Sequence, residues 1–166
     1  MLTLTNWRDL DYLIVDMPPG TGDIQLTLSQ SSPLTGAVVV TTPQDIALID
    51  AKKGLKMFEK VNVPLLGIIE NMSVFICPCC GEVTHIFGEG GAKRMSEQYG
   101  VPMLGELPLS PAIREAADSG RPTVAAEPES AAAKMYRAIA MKIAGSIAKL
   151  GKDYTARMPT ISVKND

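Results

Sequence analysis

Tyr12-Leu13-Ile14-Val15-Asp16-Met17-Pro18-Pro19-Gly20-Thr21-Gly22-Asp23 is the stretch whose reading decides how this chain folds. A short apolar run that ends in a carboxylate reads as a buried parallel strand over residues 12–16. Ligands in open α/β sheets bind beyond the carboxyl ends of such strands, so Asp16 is placed where it can reach a Mg²⁺ or its water. Pro18-Pro19 gives a rigid entry, and Gly20-Thr21-Gly22 follows with backbone free of bulky side chains. That suits a switch segment in which the Gly20 amide senses a γ-phosphate. A tight strand-to-helix turn, with Asp23 capping the next helix, accounts for the same residues equally well.

Working outward, two further runs read as buried strands, 37–42 and 65–70, with 103–107 as a weaker fourth. Helical spacing fits 45–60, where Asp45 is the N-cap after Pro43 and Ile46, Ile49, Leu55 and Phe58 form the apolar stripe. Further helices are expected over 91–99, 111–119 and 130–150. The last carries Met135, Ile139, Ile143, Ile147 and Leu150 at three- and four-residue steps. Its Lys134, Arg137, Lys142 and Lys149 are spread along the helix and read as a solvated face. Strands alternating with helices predict an α/β fold with a mainly parallel sheet and flanking helices. No repeat or linker divides residues 1–150, and 151–166 reads as a loosely ordered tail.

The second informative element is Cys77-Pro78-Cys79-Cys80-Gly81. Cys77 and Cys80 have the C-x-x-C spacing at which two thiolates grip one metal while backbone amides bond to sulfur. Pro78 and Gly81 favour the tight turn this needs. A tetrahedral sulfur site takes four ligands, and adjacent Cys79 and Cys80 tend to point apart. The arithmetic therefore favours a site shared across a two-fold axis, two thiolates from each chain, holding a 4Fe-4S cluster or Zn²⁺. A thioredoxin-like pair would open a helix, whereas this knuckle follows an apolar, strand-like stretch. A single-chain zinc site would have to recruit His85, the only histidine, which is better placed in a small hairpin beside the knuckle.

Composition bounds the rest. A chain of 166 residues with 46% hydrophobic and 20% charged residues can build one real core. Its formal net charge of -2 gives no basic face for nucleic acid. The apolar runs are too short to span a bilayer and the N-terminus lacks a signal-peptide pattern, so no membrane partner and a cytoplasmic location are expected. Three cysteines within four positions also argue against a disulfide framework. No G-x-x-x-x-G-K-S/T occurs anywhere, so the sequence contains no visible triphosphate cradle.

Together, the 10–23 segment, Thr42-Pro43-Gln44-Asp45, Glu70-Asn71-Met72-Ser73 and the cysteine knuckle, in this order, resemble the Mrp/ApbC-type iron–sulfur cluster carrier ATPases. These are relatives of the MinD and nitrogenase iron-protein class of P-loop proteins, and the resemblance covers residues 7–150. It implies Asp16 as the Mg²⁺-associated aspartate and Gly20 as the switch glycine. It implies Asn71 as reader of the adenine edge, with Pro108 lining the base pocket, and Cys77 and Cys80 as ligands of a cluster bridging a homodimer. Cys79 departs from the pattern, as a possible further ligand. The resemblance also implies cluster donors and acceptor apoproteins as partners. Members of the family open with a glycine- and lysine-rich Walker A segment that has no counterpart here. The chain thus resembles a C-terminal part, a partial P-loop NTPase domain with a cysteine-bearing hairpin insertion. Slow hydrolysis of ATP with Mg²⁺ is expected of a full-length parent and not of this chain alone. Competing functions are a non-catalytic, zinc-stapled dimer module and a MinD/ParA-like positioning ATPase.

Overall fold

The computed structural model describes residues 5–18, 20, 22–32 and 34–150. Its centre is a three-stranded parallel sheet of β1 (Ala37–Thr41), β2 (Leu65–Glu70) and β5 (Met103–Glu106), in the order β1-β2-β5. β2 runs down the middle because it is apolar on both faces. Ile68 and Ile69 point to opposite sides of the sheet, as consecutive strand residues must. Ile68 joins Val39, Leu48, Leu55 and Met95 in one core cluster. Ile69 joins Leu104, Leu107 and Ile139 in another. Helix α2 (Asp45–Lys60) and helix α3 (Gly91–Tyr99) cover the first face, and α6 (Ala131–Lys149) covers the second.

The helices at 45–60 and 91–99 form with the expected bounds, and the last two expected helices form as α4 (Pro111–Asp118) and α6. Ser130 caps α6 by accepting the Ala133 amide at 3.1 Å. The helix anticipated after the glycine loop forms as α1 (Asp23–Ser31) with Gly22 rather than Asp23 at its N-cap, and α5 (Thr123–Ala126) is additional. Lys142 is not on a purely solvated face, since its Nζ donates to the Leu104 carbonyl at 2.7 Å and ties α6 to β5. Among the described residues no helix is long and apolar enough to cross a membrane. The tail expected over 151–166 lies outside the described residues.

Several expectations fail. Asp45 is the first residue of α2, whose N-cap is Gln44, and Ile46 and Ile49 are exposed because the buried side of the helix is Leu48, Ala51, Leu55, Met57 and Phe58. Residues 12–16 are not a strand of this sheet. Ile14 is 89% exposed, and Tyr12, Leu13 and Val15 are exposed as well. An apolar run specifies that both faces prefer cover; it does not supply a neighbouring strand. Here the run joins no ladder, so its backbone and side chains stay at the surface.

Candidate functional site

The carboxyl ends of the three strands form one continuous edge. Thr41, Glu70 and Glu106 lie in register across it. Beyond it the chain segments keep bonding: the Asn71 amide donates to the Thr41 carbonyl at 2.7 Å, and the Leu107 amide donates to the Glu70 carbonyl at 2.8 Å. The Ser73 amide then donates to the Leu107 carbonyl at 3.0 Å, and the Leu109 amide donates to the Val74 carbonyl at 2.8 Å. These bonds bracket Pro108 and tie its segment to residues 70–74, so the two residues assigned to adenine share one sheet end. Asn71 Oδ1 accepts the Met72 amide at 3.0 Å, which fixes the side chain at the strand exit. The neighbouring loop is ordered by Thr42, whose hydroxyl donates to Gln44 Oε1 at 2.6 Å.

Asp16 and Gly20 are not in the strands that form this edge. Asp16 is exposed, and the next residue, Met17, packs against the cluster of Ala37, Met57, Phe58 and Val63, where β1 begins. Gln25 Nε2 donates to the Pro18 carbonyl at 3.0 Å, holding that segment against α1. Gly20 has φ +102, a conformation that favours glycine. Among the described residues no group of three or more His, Cys, Asp or Glu side chains could hold a metal ion. A lone exposed carboxylate does not make a Mg²⁺ site.

The knuckle grows from the same sheet end. Past Asn71 the chain enters a two-stranded hairpin of β3 (Phe75–Ile76) and β4 (Val83–Thr84). Phe75 also bridges to Leu109, which fastens the hairpin root to the Pro108 segment. At the tip, the Cys77 amide donates to the Glu82 carbonyl at 2.9 Å and the Gly81 amide to the Cys77 carbonyl at 2.8 Å. Gly81 closes the turn with φ +74. The Cys80 backbone amide, then the Cys79 amide, and then the Cys80 thiol bond toward the Cys77 sulfur and hold its thiol below the ordinary cysteine range. Cys77 is half-buried; Cys79 and Cys80 are exposed, and all three are free thiols. His85 lies just after the hairpin, as expected. Its Nδ1 is 3.1 Å from the Ser73 carbonyl and its Nε2 is 4.0 Å from Glu89, so it braces the loop.

Reading the sequence missed Glu70. It is 2% exposed, and its Oε2 accepts the Ala92 amide at 2.6 Å. Helix α3 has Gly90 at its N-cap and no local side-chain cap. Glu70 therefore supplies, from a distant strand, the acceptor that a helix start needs, a contact of about 1–2 kcal/mol when partly buried. The available signal was a single acid closing the otherwise apolar Leu65-Leu66-Gly67-Ile68-Ile69 run.

Three free thiols thus sit at a turn that grows from the carboxyl end of the sheet, next to the segments that carry Asn71 and Pro108. The model of the NUBPL iron-transfer P-loop NTPase family matches residues 1–144. The chain is 60% identical over 147 residues to the iron-sulfur cluster carrier protein of Escherichia coli K12, covering 89% of this chain and 40% of that protein. It is 54% identical over 143 residues to the iron-sulfur cluster transfer protein NUBPL of Mus musculus, covering 86% of this chain and 45% of that one. It thus spans less than half the length of either relative. A solved nucleotide-binding protein of Archaeoglobus fulgidus, in complex with ADP and with cobalt, superposes with a TM-score of 0.63 at 41% identity. That match covers 74% of this chain and 49% of the other. An α/β chain with a parallel sheet, helices on both faces and a cysteine knuckle at the carboxyl edge, it belongs to the NUBPL iron-transfer P-loop NTPase family.

Proposed function

We propose that this chain is the cargo-holding part of an iron–sulfur cluster carrier, in which Cys77 and Cys80 of two copies hold one 4Fe-4S cluster between them. The observation that carries the reading is the knuckle itself: backbone amides of Cys79 and Cys80 directed at the Cys77 sulfur, on an exposed hairpin. Those amides stabilise a thiolate before any metal arrives, and the exposed tip lets a second chain approach. One chain offers too few convergent ligands to close a tetrahedral sulfur site, which favours sharing between two. The names of the relatives point the same way.

In this reading the exposed position of the cluster serves its delivery to acceptor apoproteins. An adenine nucleotide would lie at the Asn71–Pro108 edge, with Asn71 reading the base and Pro108 packing against it. The A. fulgidus relative was solved in complex with ADP, which supports an adenine nucleotide as the ligand. The Mg²⁺-associated and switch roles of Asp16 and Gly20 require both to lie at that edge. ATP hydrolysis belongs to the whole carrier.

Anaerobic reconstitution with iron and sulfide tests the proposal. The chain should acquire sulfur-to-iron charge-transfer absorption, and the Cys77→Ser, Cys80→Ser double variant should not. Undiminished absorption in the double variant contradicts the assignment. Tight zinc with refusal of iron would make the knuckle a structural staple instead.

A further inference from the structure

Glu70 stands between the two proposed sites. Its backbone lies in the centre of the sheet, in register with Thr41 on one side and Glu106 on the other. The next residue is Asn71, and the chain that leaves Asn71 becomes the outgoing limb of the knuckle hairpin. The returning limb re-enters the fold at α3, and the first turn of α3 is held by the Glu70 carboxylate through the Ala92 amide at 2.6 Å. One residue thus fixes the root of both limbs. Pairing with β3 and the contact of His85 with the Ser73 carbonyl hold the returning limb as far as His85; beyond it, Glu70 is the side chain that accepts an amide at the start of α3. Gly88 and Gly90 have φ +99 and +66, so the backbone there is hinge-like, and α3 has no side-chain cap of its own. Gly91 presses against Pro43 and Leu48, so the same helix start also touches the loop after β1.

We propose that Glu70 is a positioning residue that locks the cysteine knuckle to the Asn71–Pro108 edge, so that a change at that edge is felt at the thiols. The proposal rests on the reading of the edge as nucleotide site and of the knuckle as cluster site. Its physical basis is the burial of the carboxylate. A 2% exposed carboxylate that loses its amide partner is left unpaired away from water, so the contact resists breaking and transmits displacement. Removing the acceptor leaves the buried Ala92 amide without its partner and frees the glycine-flanked limb to swing.

The test is amide hydrogen exchange on the intact chain, without metal or nucleotide. Glu70→Ala should speed exchange at Cys79, Cys80 and Gly81 by about tenfold or more, while Ile68 and Ile69 in the sheet keep their wild-type protection. Glu70→Gln retains an acceptor oxygen and should restore slow exchange at the knuckle. Unchanged knuckle rates in Glu70→Ala overturn the proposal. So does an equal rise in sheet and knuckle, which is the mark of simple destabilisation. Reconstitution of the wild-type chain is scored separately: if it takes up no cluster, the functional reading fails while these exchange rates still judge Glu70.

Discussion

The Gly81 amide and the Cys77 carbonyl are joined at 2.8 Å, which folds the chain back on itself within the knuckle and aims intervening amides at the Cys77 sulfur. That closure depends on a left-handed residue, since Gly81 has φ +74, and a Cβ built there meets no heavy atom within 4 Å. Gly81→Ala therefore introduces backbone strain without a clash, costing about 1–2 kcal/mol. The expected outcome is a fold whose melting temperature drops by only a few degrees but whose reconstituted cluster is lost faster to a chelator. Wild-type cluster lifetime in this variant would separate the turn from metal retention.

Cys77 sets a pH dependence. Its thiol is held low first by the Cys80 amide and next by the Cys79 amide, both of which are backbone groups that survive side-chain substitution. In a Cys79→Ser, Cys80→Ser chain, alkylation of the remaining thiol should reach half its maximal rate below the ordinary value of 9.0. The sign for stability follows from the lowered folded value. The contribution is fully present above the unfolded thiol's pKa and is lost as pH falls through the folded one. A midpoint at or above the ordinary value would mean that the amides do not face the sulfur.

Gly91 is required by space. A Cβ there would lie 2.7 Å from Leu48 Cδ1 and 2.9 Å from the Pro43 carbonyl oxygen. A backbone oxygen cannot rotate away, so Gly91→Ala should cost about 1–3 kcal/mol, read as a fall in the denaturation midpoint. Leu55, fully buried in the main core cluster, provides the scale: Leu55→Ala should cost about 2–5 kcal/mol. An unaltered midpoint for Gly91→Ala would show that α3 does not sit against the Pro43 loop.

The sequence contains no phosphate-cradling glycine–lysine loop, and Asp16 is an exposed residue outside the sheet. ATP hydrolysis by this chain should therefore be indistinguishable from a protein-free control in a phosphate-release assay. Turnover abolished by Asp16→Asn would contradict that placement.

Residues that announce their partners locally were legible in the sequence. Asp45 to Lys60 carries enough helical spacing to mark the helix, though its buried side includes Leu48 and Ala51 rather than Ile46 and Ile49, and the knuckle is written in four consecutive positions plus a glycine. Asn71 and Pro108 were assigned through resemblance, and the bonds joining 70–74 to 107–109 tie their segments together. What failed was whatever depended on a remote neighbour. The 12–16 run looks like a strand because its side chains are apolar, yet strand formation needs a ladder partner, which its composition cannot encode. Glu70 was overlooked for the same reason: its partner is the amide of Ala92, and a backbone group leaves no trace in a residue pattern.

Whether two copies share one cluster is decided by the native mass of the anaerobically reconstituted chain. The expected species is two chains carrying one 4Fe-4S cluster, which falls apart to apo monomers when the cluster is chelated. A cluster-loaded monomer, or a dimer unchanged by Cys77→Ser and Cys80→Ser, would contradict that sharing.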